Sequence, residues 1–275
     1  MNLNAYCPGC GAFVPPTLMP TDYFTCESCH LTESKTRLVK QWDVRHMLAG
    51  VGSGPAISIA SVTTATLFDG LQATANYSTG AFSVVAGDGI VVCLASRFGA
   101  EQSNTPTVSL IGDSGTLGIV VGNGLDSALW GGIFFGRAAT SGSRTIRADF
   151  SQVPNPVSSA MAVIRLRSSG VITIDRSNSQ YSASSATPDS NFTGPLSASP
   201  EVLIGMLASA NKLADAAAVW DPPFTVGQRD ATANGSNDCC VSESRLSTTS
   251  RGSFHASATL TAVEVACLVA SFRAA

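Results

Sequence analysis

Four of the eight cysteines stand within the first 30 residues as two short pairs, Cys7 and Cys10 in CPGC and Cys26 and Cys29 in CESC. Two residues between thiols let a tight turn aim both sulfurs at one metal. A second such turn, 15 residues further on, completes a tetrahedral thiolate shell. Cys-x2-Cys-x15-Cys-x2-Cys is the spacing of a structural zinc site. The expected cofactor is one structural Zn2+ per chain, with Cys7, Cys10, Cys26 and Cys29 as its ligands. Pro8, Gly9 and Gly11 supply turn chemistry around the first pair. The alternative is two disulfides. The opening residues MNLNAYCPGCG carry neither the basic nor the apolar region of an export signal. A chain without export stays in a reducing compartment, where thiolates and metal are favoured over disulfides. His30 directly follows Cys29 and is read as a bystander, because four sulfurs already fill the shell.

Over roughly residues 5–32 this segment resembles a zinc ribbon, a fold shared by nucleic-acid binders, enzymes and assembly modules. Charge chooses among them. Residues 1–50 hold Lys35, Arg37, Lys40 and Arg45 against Asp22, Glu27, Glu33 and Asp43. A ribbon that grips nucleic acid needs a basic stripe. This one is neutral, which points to a structural or docking role.

Other apparent active-site signals fail. Gly112-Asp113-Ser114-Gly115 looks like a serine-protease nucleophile loop, but that chemistry needs a histidine base and a buried aspartate. The histidines are His30, His46 and His255, and none lies in a supporting motif. Asp-Ser-Gly between two strands is also a good turn by itself. There is no GxSxG elbow, P-loop, strand-to-helix GxGxxG or HExxH. Asn76-Tyr-Ser, Asn191-Phe-Thr and Asn234-Gly-Ser match the glycosylation sequon, which has no meaning without export. The expectation is a protein that is not an enzyme.

The rest of the chain must position the ribbon and whatever it serves. Charged residues are 13% of the 275, about half the roughly 25% of a typical soluble domain. That composition argues against long solvated helices. The net charge of -3 gives no electrostatic footprint for nucleic acid, and no apolar run reaches the ~18 residues of a membrane span. Residues 34–54 read as a linker or docking arm. Within it Leu38, Val39 and Trp42 could line one face, and Trp42 either packs back on the ribbon or anchors in a partner. Residues 49–55, Gly-rich and closed by Pro55, form a hinge.

Beyond it, short apolar runs alternate with Gly, Ser, Asn, Asp and Pro clusters. Strands are expected at 56–62, 81–85, 90–96, 107–111, 117–121, 129–136, 144–150, 160–167, 171–174, 201–208, 216–220, 239–246, 254–259 and 263–272. The spacing predicts a mainly β protein, with a small zinc ribbon (1–33) and a large antiparallel, jelly-roll-like β-sandwich (55–275). Ile146, Ala148 and Phe150 alternate with Thr145, Arg147 and Asp149, so one face of that sheet should be wet. Residues 263–272 are apolar on both faces and should be central or covered. Cys93, within IVVCLAS, reads as a small buried hydrophobe. Cys239 and Cys240 read as strand thiols.

The stretches FSVVAGDGIVVCLAS, TPTVSLIGDSGT, LWGGIFFGRAATSGSRTIRADFS, MAVIRLRSSG and ACLVASF together resemble a β-sandwich repertoire of phage virion proteins and bacterial surface modules. The resemblance spans roughly residues 80–273. It implies a bacteriophage virion structural protein, a head decoration, spike or tail-associated piece assembled in the host cytoplasm. The ribbon and Trp42 would dock on other virion proteins while the sandwich projects. The second candidate is a carbohydrate-binding module of a bacterial surface protein, which needs an exposed aromatic platform; Trp130, Trp220, Tyr77 and Tyr181 are its candidates, and core packing is the competing reading of both tryptophans. A host-surface glycan is accordingly a further candidate partner. A homo-oligomer is expected from the low charge and the doubly apolar last strand, a trimer by analogy with virion spikes.

Overall fold

The computed structural model describes five short strands between residues 5 and 40, and then residues 55–69, 76–99, 104–114, 116–124, 128–151, 156–198, 200–211, 218–232 and 239–275. Every regular element among them is a strand. The N-terminal strands are β1 (Ala5–Tyr6), β2 (Phe13–Val14), β3 (Tyr23–Thr25), β4 (Thr32–Ser34) and β5 (Val39–Lys40). β1 pairs antiparallel with β2 and with β5, and β3 with β4. Cys7, Cys10, Cys26, Cys29, His30 and Trp42, with the hinge at 49–54, lie outside the described residues.

The first half of the body contributes β6 (Ser58–Asp69), β7 (Asn76–Ser78), β8 (Phe82–Val84), β9 (Gly89–Phe98), β10 (Thr107–Ile111), β11 (Thr116–Asn123), β12 (Leu129–Arg137), β13 (Gly142–Asp149) and β14 (Pro156–Arg167). They form one antiparallel sheet in the order β6-β14-β9-β12-β11-β10-β13-β7, with β8 also on β13. The second half adds β15 (Ile172–Ser185), β16 (Glu201–Ser209), β17 (Val219–Trp220), β18 (Thr225–Ala231), β19 (Cys240–Thr248), β20 (Ala258–Thr259) and β21 (Val263–Ala274). Five of these make the sheet β15-β21-β16-β19-β18, while β17 and β20 pair separately. A jelly roll has eight strands in two Greek keys. Here nine described strands oppose five.

Apolar alternation divides the interior into three cores. Val91, Cys93 and Ala95 of β9 face Ile204, Met206 and Ala208 of β16 and Ala266, Leu268 and Phe272 of β21, gluing the two sheets together. On the opposite face of β9, Ile90, Val92 and Leu94 are equally buried, against Val108, Leu110, Ile146, Ala148 and Phe150. The large sheet therefore curls over its own outer face. A register shift in β11 between Ile119 and Val121 marks the strand where the two halves join, the kind of irregularity that bends a sheet. The wet face expected from β13 is kept there, with Arg147 exposed and Thr145 and Asp149 half-buried, but in β14 Met161 and Val163, on the side of Arg165 and Arg167, are fully buried. Only at its end do Arg165 and Arg167 emerge.

The third core explains β21. Val265, Cys267 and Val269 pack under Leu196, Trp220, Phe224, Ala256 and Leu260, which come from the chain segments crossing the outer face of the five-stranded sheet. The strand is central, between β15 and β16, and covered on both sides by its own chain. It supplies no argument for an oligomer. Two glycines make the sheet contacts close. Gly132 lies beneath the indole of Trp130, two residues back on the same face. Gly131 points the other way, where a Cβ would stand 2.8 Å from that of Ala208 across the sheet interface.

Candidate functional site

Of the aromatics a glycan platform could use, Trp130, Trp220, Tyr77 and Tyr181, both tryptophans take the core-packing reading. Trp130 is 0% exposed and Trp220 5%, so both are core residues. Tyr77 packs edge-on against Phe150 at 5.9 Å. The Tyr181 hydroxyl donates to Glu264 at 2.9 Å. An aromatic buried in a core cannot stack on a ligand, and each tryptophan sits on an apolar face of its strand.

Asp113 and Ser114 lie in the hairpin turn between β10 and β11, and the one described histidine, His255, is bonded elsewhere, to Asp189. Asp113 accepts N–H bonds from Ser114 (2.7 Å), Ala139 (2.9 Å) and Thr140 (3.3 Å), tying this turn to the β12–β13 turn. Burial pushes its carboxyl up, but those three N–H groups and the Arg144 charge outweigh it and hold the pKa below the ordinary aspartate value. The residue is a pin. Asp88 is another: Arg167 grips it at 2.7 Å through two nitrogens, and Val85 N–H adds a third bond. Burial raises its pKa less than these partners and Arg165 lower it.

The described surface gathers one constellation that is not structural pinning. Phe192 is the large aromatic most open to solvent among the described residues, at 59% exposure. Its ring stands 4.4 Å from the imidazole of His255 with a 42° tilt. His255 Nδ1 donates to Asp189 Oδ2 at 2.7 Å. Asp189 Oδ1 in turn accepts the Asn191 N–H at 2.7 Å. Asp189 also lines a shallow cleft with Gln180, Tyr181, Ser182, Ser185 and Thr187.

Local sequence explains why this loop is rigid. Pro188-Asp189-Ser190-Asn191 is turn chemistry, with the aspartate side chain capping the backbone two residues on. Asn191 takes φ 62°, a left-handed conformation that asparagine tolerates better than most residues. The Asn178 side chain donates to Phe192 O at 2.8 Å, and Thr193 N–H donates to Phe254 O at 2.7 Å. Residues 186–196 thus run antiparallel to 252–260, bonded at Ala186, Pro188, Ser190, Thr193 and Leu196. Phe192 is held out by its backbone and braced by its neighbour's ring.

Sequence reasoning passed over this group. Phe192 figured only inside the Asn191-Phe-Thr sequon, and His255 was set aside because no supporting motif adjoins it. Its partner Asp189 lies 66 residues away. The available signal was an aromatic alone in a Ser/Asn/Thr/Asp run that has no apolar period.

No described group of three or more His, Cys, Asp or Glu side chains is arranged to hold a metal ion. Among the described residues no helix is long and apolar enough to cross a membrane. Comparisons with protein families, with curated proteins and with solved structures find no match to this chain.

Proposed function

We propose that this chain is a structural protein of a bacteriophage virion, with an N-terminal zinc ribbon docking on the particle and a β-body projecting from it. The observation that carries the reading is the polarity of the body. Gly170 lies against both Pro55, where the N-terminal segment enters, and Ala275; a Cβ there would meet Pro55 Cγ at 2.8 Å and Ala275 O at 2.5 Å. Both chain ends of the body therefore share one end of it. β21 starts at the other end, with Val263 opposite Ser185 and Ala274 opposite Ile172, about 36 Å away at ~3.3 Å per residue. An anchor at one end and a free far end suit a projecting module.

Backbone pairing near the cysteines supports the ribbon. Tyr6 pairs with Phe13 and Thr25 with Thr32, so each Cys-x2-Cys pair falls in sequence between the two strands of a hairpin. Four thiolates in two such turns would close a tetrahedral shell. Trp42 is proposed as the docking residue, and virion proteins as its partners. Gradient-purified particles should contain the chain at a fixed copy number, and a chain starting at Ser53 should be missing from them. Particles that lack the full-length chain would overturn the reading.

A further inference from the structure

We infer that the outer face around Phe192, His255 and Asp189 is a saccharide-binding site, in which a pyranose ring stacks on Phe192 and its hydroxyls are met along the adjoining cleft. The inference goes beyond the virion reading and does not need it.

A pyranose has one face of axial C–H bonds and a rim of hydroxyls. The electron-rich face of an aromatic ring attracts polarised C–H groups, and Phe192 is more than half open to solvent. Stacking is useful only if the ring is already in place, since ordering a loose side chain on binding opposes affinity. Phe192 is in place: Asn178 holds its carbonyl, Asp189 holds the turn before it, and His255 braces its ring.

The rim chemistry fits as well. The polar residues Gln180, Ser182, Ser185 and Thr187 line the cleft; Ser182 spends its proton on Ser184 O and Ser185 Oγ accepts the Thr187 N–H, so Ser182 remains an acceptor and Ser185 a donor. Asp189 joins cleft to platform, since the residue lines the one and its carboxylate fixes the imidazole of the other. With His255 Nδ1 committed to Asp189, Nε2 is the ring nitrogen left for a ligand hydroxyl. A protein partner of ordinary affinity would need about 800 Å² of complementary surface with several apolar anchors. This face offers one apolar ring bordered by hydroxyls, the pattern of a sugar rather than of a protein knob. Ser185 and Thr187 also lie toward the end of β21 away from Pro55, the end left open if the N-terminal segment is anchored.

The test uses the purified full chain, free of particles, on an array of bacterial-surface and hexose oligosaccharides, with each bound oligosaccharide then titrated calorimetrically. At least one should bind saturably. Phe192→Ala should weaken it tenfold or more and Phe192→Trp should retain it. Thr187→Arg, which fills the cleft from an exposed position, should also weaken it. Ile119→Ala, an exposed apolar side chain on the other sheet, should bind as the unchanged chain does. Failure to bind any oligosaccharide, full binding by Phe192→Ala, or attachment of this face to a host protein that survives periodate treatment would each overturn the proposal. Because no particle is involved, the outcome is independent of whether the chain belongs to a virion.

Discussion

Glu243 and Arg245, two residues apart on one face of β19, close a two-point ion pair inside the protein: Arg245 Nε meets Oε1 at 2.6 Å and Nη2 meets Oε2 at 2.9 Å. Glu243 is fully buried, and its Oε2 also accepts the Gln228 N–H at 2.8 Å. Gly227 is required beside it, because a Cβ there would collide with that carboxylate. Arg245 reaches on to the Ser61 hydroxyl on β6, so the pair ties β19, next to the edge of one sheet, to the edge strand of the other.

Removing one member of a buried pair leaves the other charge without compensation, which costs about 3–5 kcal/mol. Arg245→Met should therefore lower the stability by that order in urea unfolding, with an unchanged slope. Glu243→Gln combined with Arg245→Met should recover much of the loss, since no charge remains to be buried. A single Arg245→Met change costing under ~1 kcal/mol would mean that water solvates Glu243 in the fold.

Most of the body was legible from hydrophobic patterning, and the parts that were not have a common cause. Strand 107–111 was read with its observed bounds, and 90–96, 129–136 and 263–272 as the cores of β9, β12 and β21. Apolar patterning marks only the first residues of β15, because from Asp175 onward it is Ser- and Asn-rich, an edge strand held by backbone pairing to β21. β18, TVGQRDA, was missed entirely: it too is an edge, and its Gly227 exists to make room for Glu243. Edge strands need little apolar surface, so period-2 reading overlooks them. The double burial of β14 escaped notice because curling depends on long-range pairing of β10 with β13, which no local window contains. The Asp189–His255 pair is hidden for the same reason.

A second polar knot makes stability depend on pH in two directions. The β15 pairing skips Asp175 and Arg176, and Asp175 turns to accept both the N–H and the hydroxyl of Ser197. Burial raises the Asp175 pKa, but the two Ser197 bonds, a Glu201 hydrogen bond and the nearby Arg176 charge prevail and keep it below the ordinary value. Glu201 is 1% exposed; burial, and the charge of Asp175, push its pKa up despite the Ala198 N–H bond. The fold thus favours ionised Asp175 and protonated Glu201. Stability from Asp175 is present above the ordinary aspartate pKa and fades as pH falls through its depressed value. That from Glu201 is full below the ordinary glutamate pKa and fades as pH rises through its raised one. Glu201→Gln should therefore melt higher than the unchanged chain at pH 8, with the gap shrinking toward pH 4. Asp175→Asn should melt lower at pH 8 and converge in acid. A pH-independent gap for either variant would contradict the assignment.

Counting reactive thiols separates the ribbon from the body. Of the eight cysteines, Cys93, Cys239, Cys240 and Cys267 are buried thiols of the body. Burial drives the Cys93 and Cys267 pKa values well above the usual thiol value, with the Glu243 charge adding to the effect at Cys93. A thiol that is both inaccessible and protonated does not attack a disulfide reagent. If Cys7, Cys10, Cys26 and Cys29 hold zinc, the native chain should show almost no reaction with an aromatic disulfide at pH 7. A chelator should then release one zinc per chain and expose four thiols, and denaturant should expose all eight. The near-ultraviolet spectrum of the buried tryptophans should survive chelation, because the described residues of the cores around Trp130 and Trp220 all lie beyond Pro55. Four thiols reacting before any chelator is added would remove the metal. Eight reacting after it would mean that the sandwich depends on the ribbon for its fold, and the two would then have to be treated as one cooperative unit.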